Sequence, residues 1–204
     1  MNILENGFSN LDPLFSIAPW VYLFLIPAIT MRLFSEERKT GTIELLFTRP
    51  ISDLQIVLAK YLAGVVLVFI SLLPTLIYYY TVYQLGFPKG NLDAGGIWGS
   101  YIGLLFLGAG FVSIGVFASS VSDNQVIAFI MAMFLCFLCY NGFEFIGGAA
   151  WFGSFDAYII KLGINEHYIS LSRGVVDSRD VLYFLSLIAF FVSLTKFSLE
   201  RRKW

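Results

Sequence analysis

Along the whole chain, long, sparsely charged apolar runs alternate with short charged or turn-rich stretches. A helix needs about 20 apolar residues to cross roughly 30 Å of hydrocarbon. Five runs have that length: 14–34, 54–85, 98–118, 125–145 and 181–199. The first carries Pro19 and Pro27, which membrane helices tolerate because neighbours re-satisfy the freed carbonyls. Pro74 places a kink in the second. Ser52 with Gln55, and Ser122 with Gln125, have capping-box spacing before the second and fourth runs. The turn-rich loop GFPKGNLDAGG (86–96) ends the second, and the third opens at Trp98. Between 146 and 180, glycines, aromatics and scattered charges mix. That stretch is too polar to span and too apolar for a plain loop, so it reads as short outer interfacial or re-entrant helices. The pattern predicts an all-α membrane protein of five transmembrane helices in a single domain, 1–204.

Composition agrees with a lipid solvent. Of 204 residues, 58% are hydrophobic and 13% charged, against about 45–50% and roughly 25% in soluble domains. Mean hydropathy is +0.78. A soluble fold this apolar would expose large patches and aggregate. The net charge of -1 provides no basic surface for nucleic acid. Cys136 and Cys139 have the spacing of a redox or metal pair. With no further cysteine, and with the single histidine in another segment, they read as small buried apolar residues.

Lysine and arginine set the orientation. Arg32, Arg38, Lys39, Arg49, Lys60, Lys196, Arg201, Arg202 and Lys203 fall on one side of a five-span chain. Lys89, Lys161, Arg173 and Arg179 fall on the other. The richer side is cytoplasmic, with the C-terminus inside and the N-terminus outside. Tyr78, Tyr79, Tyr80, Tyr83 and Trp98 cluster at the outer interface, and Trp204 at the inner one. MNILENGFSN has neither the basic nor the apolar region of a signal peptide, so an N-out start implies a preceding span that is missing or a first helix inserted inverted.

The first cytoplasmic stretch, EERKTGTIELLFTRPIS from Glu36, is the most specific. Gly41 suits the left-handed conformation that stops a helix. Thr42 is placed to cap a short helix, 42–47, which Pro50 cannot continue. Ile43, Leu46 and Phe47 share one face of it, and Glu44 lies off that stripe. Two readings stand: a linker lying in the headgroups, or a lever docking into a soluble partner.

This run resembles the cytoplasmic motif of ABC-2-type transporter permeases. Glu36 or Glu37, Gly41, Thr42, Glu44, Leu45, Leu46, Thr48 and Pro50 match it. SDNQVIAF, the outer short helices and the last span with its basic end also resemble that family. NILENGFSNLDPLFSIAPW, MRLFSEERKTGTIELLFTRPISDLQIVLAKY and SRGVVDSRDVLYF are most similar to gliding-motility-associated permeases of the GldF type. The resemblance covers essentially the whole chain. It implies six spans, so the family's N-terminal amphipathic helix and first span would be lacking here. It also implies an inner-membrane transport subunit, an exporter linked to gliding motility. Its ATP would be bound by a separate cytoplasmic ATPase, since the chain has no G-x-x-x-x-G-K-[ST] of its own and needs no cofactor. Glu36, Glu37, Arg38, Gly41, Thr42, Glu44, Leu45, Leu46 and Pro50 would couple to that ATPase. A second permease subunit or a homodimer partner would complete the path.

Asn141 and Glu144 lie one turn apart near the outer end of the fourth run. They are a possible substrate path, because ionisable groups in a membrane are costly and often functional. At the interface Glu144 also reaches water cheaply, which allows a purely structural role. Gly99 and Gly103, and Ala128 and Ala132, have small-xxx-small spacing, which serves a dimer seam or packing within one chain. His167 reads as a lone outer residue that caps a helix or sits at the interface. An enzyme would need a paired nucleophile and base, or two acids together. Asp53 and Asp123 belong to different spans, and Glu144 is at the other side. A non-transporting membrane scaffold is the remaining alternative.

Overall fold

In the computed structural model, residues 11–48, 50–86, 92–149 and 153–201 are described, and every regular element among them is helical. Arg49, Lys89, Arg202, Lys203 and Trp204, and all of the NILENGFSN segment, lie outside the described residues. In chain order the helices are α1 (Asp12–Thr30), α2 (Arg32–Lys39), α3 (Ile43–Phe47), α4 (Asp53–Leu72), α5 (Leu76–Leu85) and α6 (Ala94–Val121). These are followed by α7 (Gln125–Phe137), α8 (Phe143–Gly148), α9 (Asp156–Ile160), α10 (Ile164–Ser172) and α11 (Ser178–Glu200). Five helical stretches are long and apolar enough to cross a membrane: Asp12–Lys39, Asp53–Leu85, Ala94–Val121, Gln125–Gly148 and Ser178–Glu200.

Local chemistry explains the helix ends. Ser52 forms a complete capping box: its backbone N–H donates to Gln55 Oε1 (3.0 Å), and Gln55 N–H donates to Ser52 Oγ (3.4 Å). Pro74 does not break the second stretch; it sits in a 3-10 turn, Leu73–Thr75, that joins α4 to α5. One start and one cap differ from the sequence expectation. α6 begins at Ala94 rather than Trp98, because Asp93 caps it by accepting from Gly96 N–H (3.0 Å). α7 is capped by Asn124, whose Oδ1 accepts from Val126 N–H (2.9 Å). Ser122 instead exchanges bonds with the Asn124 backbone. Asp177 caps α11 by accepting from Arg179 N–H (3.0 Å).

α6 runs through the middle, packed by α1, α4, α7, α10 and α11. Leu104, Leu107, Phe111, Ile114 and Val116 on it are fully buried. Small residues let the other helices close on it. A Cβ on Gly115 would lie 2.1 Å from Thr30 Oγ1, so only glycine permits α1 to cross α6 at this depth. Gly99 and Gly103 meet Gly174 and Leu171 of the same chain, and Ala128 and Ala132 are fully buried within it. Both small-residue pairs therefore serve packing inside one chain. Around this core, Ile17, Phe24, Leu62, Ile77, Phe134, Leu182 and Phe190 face outward, as a hydrocarbon solvent allows.

Candidate functional site

At the end of the bundle carrying Arg38, Lys39, Lys60 and Lys196, α1 passes into α2 through a break at Met31. Ser119 of α6 fills the break. Its Oγ accepts from the N–H groups of Phe34 (2.9 Å) and Ser35 (3.2 Å) and donates to the Met31 carbonyl (3.0 Å). The charges of α2 then divide. Glu37 turns inward and pairs with Lys60 of α4, Nζ to Oε1 2.6 Å. Lys60 also donates to the Leu33 carbonyl and lies over the Phe34 ring, 4.7 Å from its centroid. Arg38 has a side chain only 4% exposed, and its Nη1 lies 3.6 Å from Asp123 Oδ1 in the turn between α6 and α7. Glu36 and Lys39 face outward.

The chain then turns at Gly41, whose φ of +73° is the left-handed conformation that glycine adopts without strain. Thr40 Oγ1 bonds back to the Glu36 carbonyl (2.9 Å) and contacts Thr42 Oγ1 (3.0 Å). The Thr42 hydroxyl donates to the Glu37 carbonyl (3.4 Å), so it braces the turn against α2. Its carbonyl accepts from Leu45 N–H (3.1 Å) and opens α3. On α3, Ile43 packs against the core, whereas Glu44 is exposed and Leu45 is 66% exposed. Thr48 and Pro50 are exposed beyond it. The Leu46 and Phe47 side chains, expected on the Ile43 face, lie outside the described residues. Of the residues singled out in sequence, Glu36, Gly41, Thr42, Glu44, Leu45 and Pro50 form an outward loop. Glu37 and Arg38 are the ties that hold it to α4 and to the α6–α7 turn.

At the opposite end, α7 leaves regular geometry. Residues Leu138–Gly142 form a π-helical turn before α8, a departure that often marks functional sites. It places Asn141, 8% exposed, and Glu144 on one cleft of about 640 Å³, with Trp20 of α1 on the facing wall. Asn165 Nδ2 of α10 donates to Glu144 Oε2 (2.8 Å). The structure thus brings together the two residues expected for a substrate path and adds Trp20 and Asn165. Sequence alone gave no sign of either, since each arrives from another helix.

His167, expected to stand alone, is fully engaged. Its Nδ1 meets Asp180 Oδ1 (2.7 Å), its Nε2 meets the Lys161 carbonyl (2.9 Å), and the ring stacks on Tyr183 at 3.9 Å. Ser170 Oγ donates to the other Asp180 oxygen. The serine bonds the carboxylate and not the imidazole, so this is not the relay of a nucleophilic triad. It clamps α10 to α11. Tyr168 pins the same helix to α1 by donating to the Phe15 carbonyl (2.8 Å), and burial pushes its phenol well above the usual range, with Tyr140 and Tyr22 adding to the rise. Among the described residues no group of three or more His, Cys, Asp or Glu could hold a metal ion.

Five helical stretches long and apolar enough to cross a membrane, four of them around the buried α6, with a braced helix-bearing loop at the basic end, define a polytopic all-α membrane protein. A family model described as ABC-2 family transporter protein matches residues 5–160. The chain belongs to that family, whose members are membrane permease subunits working with a cytoplasmic ATPase. Among curated proteins, none matches this chain.

Proposed function

We propose that this chain is the permease subunit of an ATP-driven exporter and that the loop from Glu36 to Pro50 receives the motion of a separate cytoplasmic ATPase. The observation carrying this is the division of the loop. Glu44 and Leu45 face outward, while Glu37–Lys60 and Arg38–Asp123 tie its base to two further helical connections. A partner groove that takes Glu44 and Leu45 moves α2, and through the ties it moves α4 and the start of α7. That is a rigid-body switch between two packings. The basic end is cytoplasmic by the positive-inside rule, with the N-terminus outside, the C-terminus inside and the chain in the inner membrane. Asn141, Glu144 and Trp20 line the substrate path at the outer end. A second permease subunit, or a second copy, completes the conduit. Similarity to gliding-motility permeases supports export in that setting.

The test is co-purification with the ATPase and permease-stimulated ATP hydrolysis in proteoliposomes. Glu44→Arg reverses the charge at the exposed contact and is expected to lower both at least tenfold without changing detergent stability. Unchanged association and stimulation would sink the coupling role. Glu144→Gln with wild-type flux would remove the outer cleft from the path.

A further inference from the structure

Glu144 is the one charged residue in the stretch Gln125–Gly148, which is apolar enough to cross a membrane, and its side chain is exposed. A charge so placed is costly and is ordinarily matched by an opposite one. Its Oε2 accepts from the Asn165 amide (2.8 Å), which is neutral. Among the described residues, no lysine, arginine or histidine pairs with it. Glu37, Asp123, Asp180 and Glu200, by contrast, each have a basic partner at 2.6–3.6 Å. Around Glu144 the cleft is lined by Trp20, Asn141 and Phe145, with Gly148 and Ala149 completing the wall. Trp20 is half exposed and its ring is set edge-on against Tyr140, 6.4 Å between centroids. An indole face is the best of the aromatic surfaces for a cation. Nothing lies within 4 Å of where a Cβ on Gly148 would stand, so that wall stays open. The volume of about 640 Å³ suits an organic molecule, for which pockets of about 300–1,000 Å³ are usual. A bare metal ion would make no use of the rings, and an anion would meet the Glu144 charge.

Resting on the reading of this cleft as a substrate path, we propose that it binds an organic ammonium ion, whose charge Glu144 matches and whose alkyl groups lie against Trp20 and Phe145. A substituted ammonium is bulky and weakly hydrated, so it loses little on leaving water and gains both the carboxylate and the ring faces. Such a centre is carried by free amphiphilic amines and by the headgroups of aminophospholipids alike.

The experiment is equilibrium dialysis of the full chain, in uncharged maltoside micelles, against benzyltrimethylammonium and its neutral carbon isostere neopentylbenzene. The cation is expected to bind at least tenfold more tightly than the isostere. Glu144→Gln keeps an oxygen for Asn165 and removes only the charge. It is expected to weaken the cation at least tenfold and leave the isostere unchanged. Trp20→Leu is expected to weaken the cation roughly two- to fivefold, and Trp20→Phe less. Should Glu144→Gln fail to fold, the comparison of cation with isostere on the wild-type chain still decides. Repeating the measurement in nanodiscs separates the two sources of the ammonium group. Competition by phosphatidylethanolamine, absent from phosphatidylglycerol alone and lost in Glu144→Gln, identifies a lipid headgroup, and no competition identifies a free amine. Equal binding of cation and isostere, or a Glu144→Gln chain that holds the cation as tightly as wild type, would overturn the proposal. Binding needs no ATPase, so it is read apart from transport. Cation binding lost in Glu144→Gln while flux stays at wild type sinks the path and leaves the site, whereas lost flux without any cation preference sinks the ammonium ligand and leaves the path.

Discussion

Gly115→Ala tests the close crossing of α1 and α6 most directly. The added Cβ would lie 2.1 Å from Thr30 Oγ1, 2.8 Å from its Cβ and 3.1 Å from its Cγ2. Rotating the Thr30 side chain is no escape. It breaks the bond from Oγ1 to the Ile26 carbonyl (2.8 Å) and swings another atom into the same space. The helices must separate, and overpacking of this kind costs about 3 kcal/mol. At roughly 2–4 °C per kcal/mol for a chain of this size, the melting temperature falls by about 6–12 °C. Thr30→Ala removes two of the three clashing atoms and itself costs only about 0.5–1 kcal/mol. The double variant Gly115→Ala/Thr30→Ala is therefore expected to recover at least half of the loss, an interaction energy of about 1.5 kcal/mol in a double-mutant cycle. Thermal unfolding of the purified protein in one detergent reads all four corners. Additive losses, or a Gly115→Ala protein as stable as wild type, would refute the crossing as drawn.

Three further outcomes follow from the same geometry. Nothing lies within 4 Å of a Cβ on Gly41, so only its φ of +73° opposes substitution. Gly41→Ala is expected to cost about 1–2 kcal/mol and Gly41→Asn distinctly less, which binding to the ATPase and amide exchange across Thr40–Glu44 would register as a 5–30-fold against a smaller change. The cycle Glu37→Gln with Lys60→Met is expected to give about 1 kcal/mol of coupling, modest because both side chains retain some exposure; chemical denaturation measures it. Tyr168→Phe leaves the Phe15 carbonyl without its donor and is expected to cost about 1–2 kcal/mol, seen as lowered thermal stability with α10 exchanging faster than α11.

The spans were legible because hydropathy depends on composition over twenty residues and not on any single contact. The Ser52–Gln55 box was legible because both partners sit three residues apart. The start of α6 after Asp93 and the cap of α7 at Asn124 were misjudged for a local reason. Two glycines after Asp93 read as turn, and Ser122 competed with Asn124 for the same cap. The loop at Gly41 followed from one glycine, but the inward turn of Glu37 and Arg38 did not. A charge in sequence reads as solvated, and its partners, Lys60 and Asp123, come from 23 and 85 positions further along the chain. His167 looked solitary for the same reason, since Asp180 and the Lys161 carbonyl flank it at a distance. The π-helical turn under Asn141 has no signature in composition at all.

The serines of α6 bear on how the protein is made. A helix entering the bilayer before its neighbours must not carry unsatisfied polar groups into lipid. Ser100, Ser113 and Ser120 donate to the Gly96, Gly110 and Phe117 carbonyls of their own helix. These three are provided for during biosynthesis, whatever the order of assembly. Ser119 differs: its hydroxyl donates to Met31 on the already synthesised first stretch. That one hydroxyl ties α6 to its predecessor, so its bond forms only once the two helices have docked.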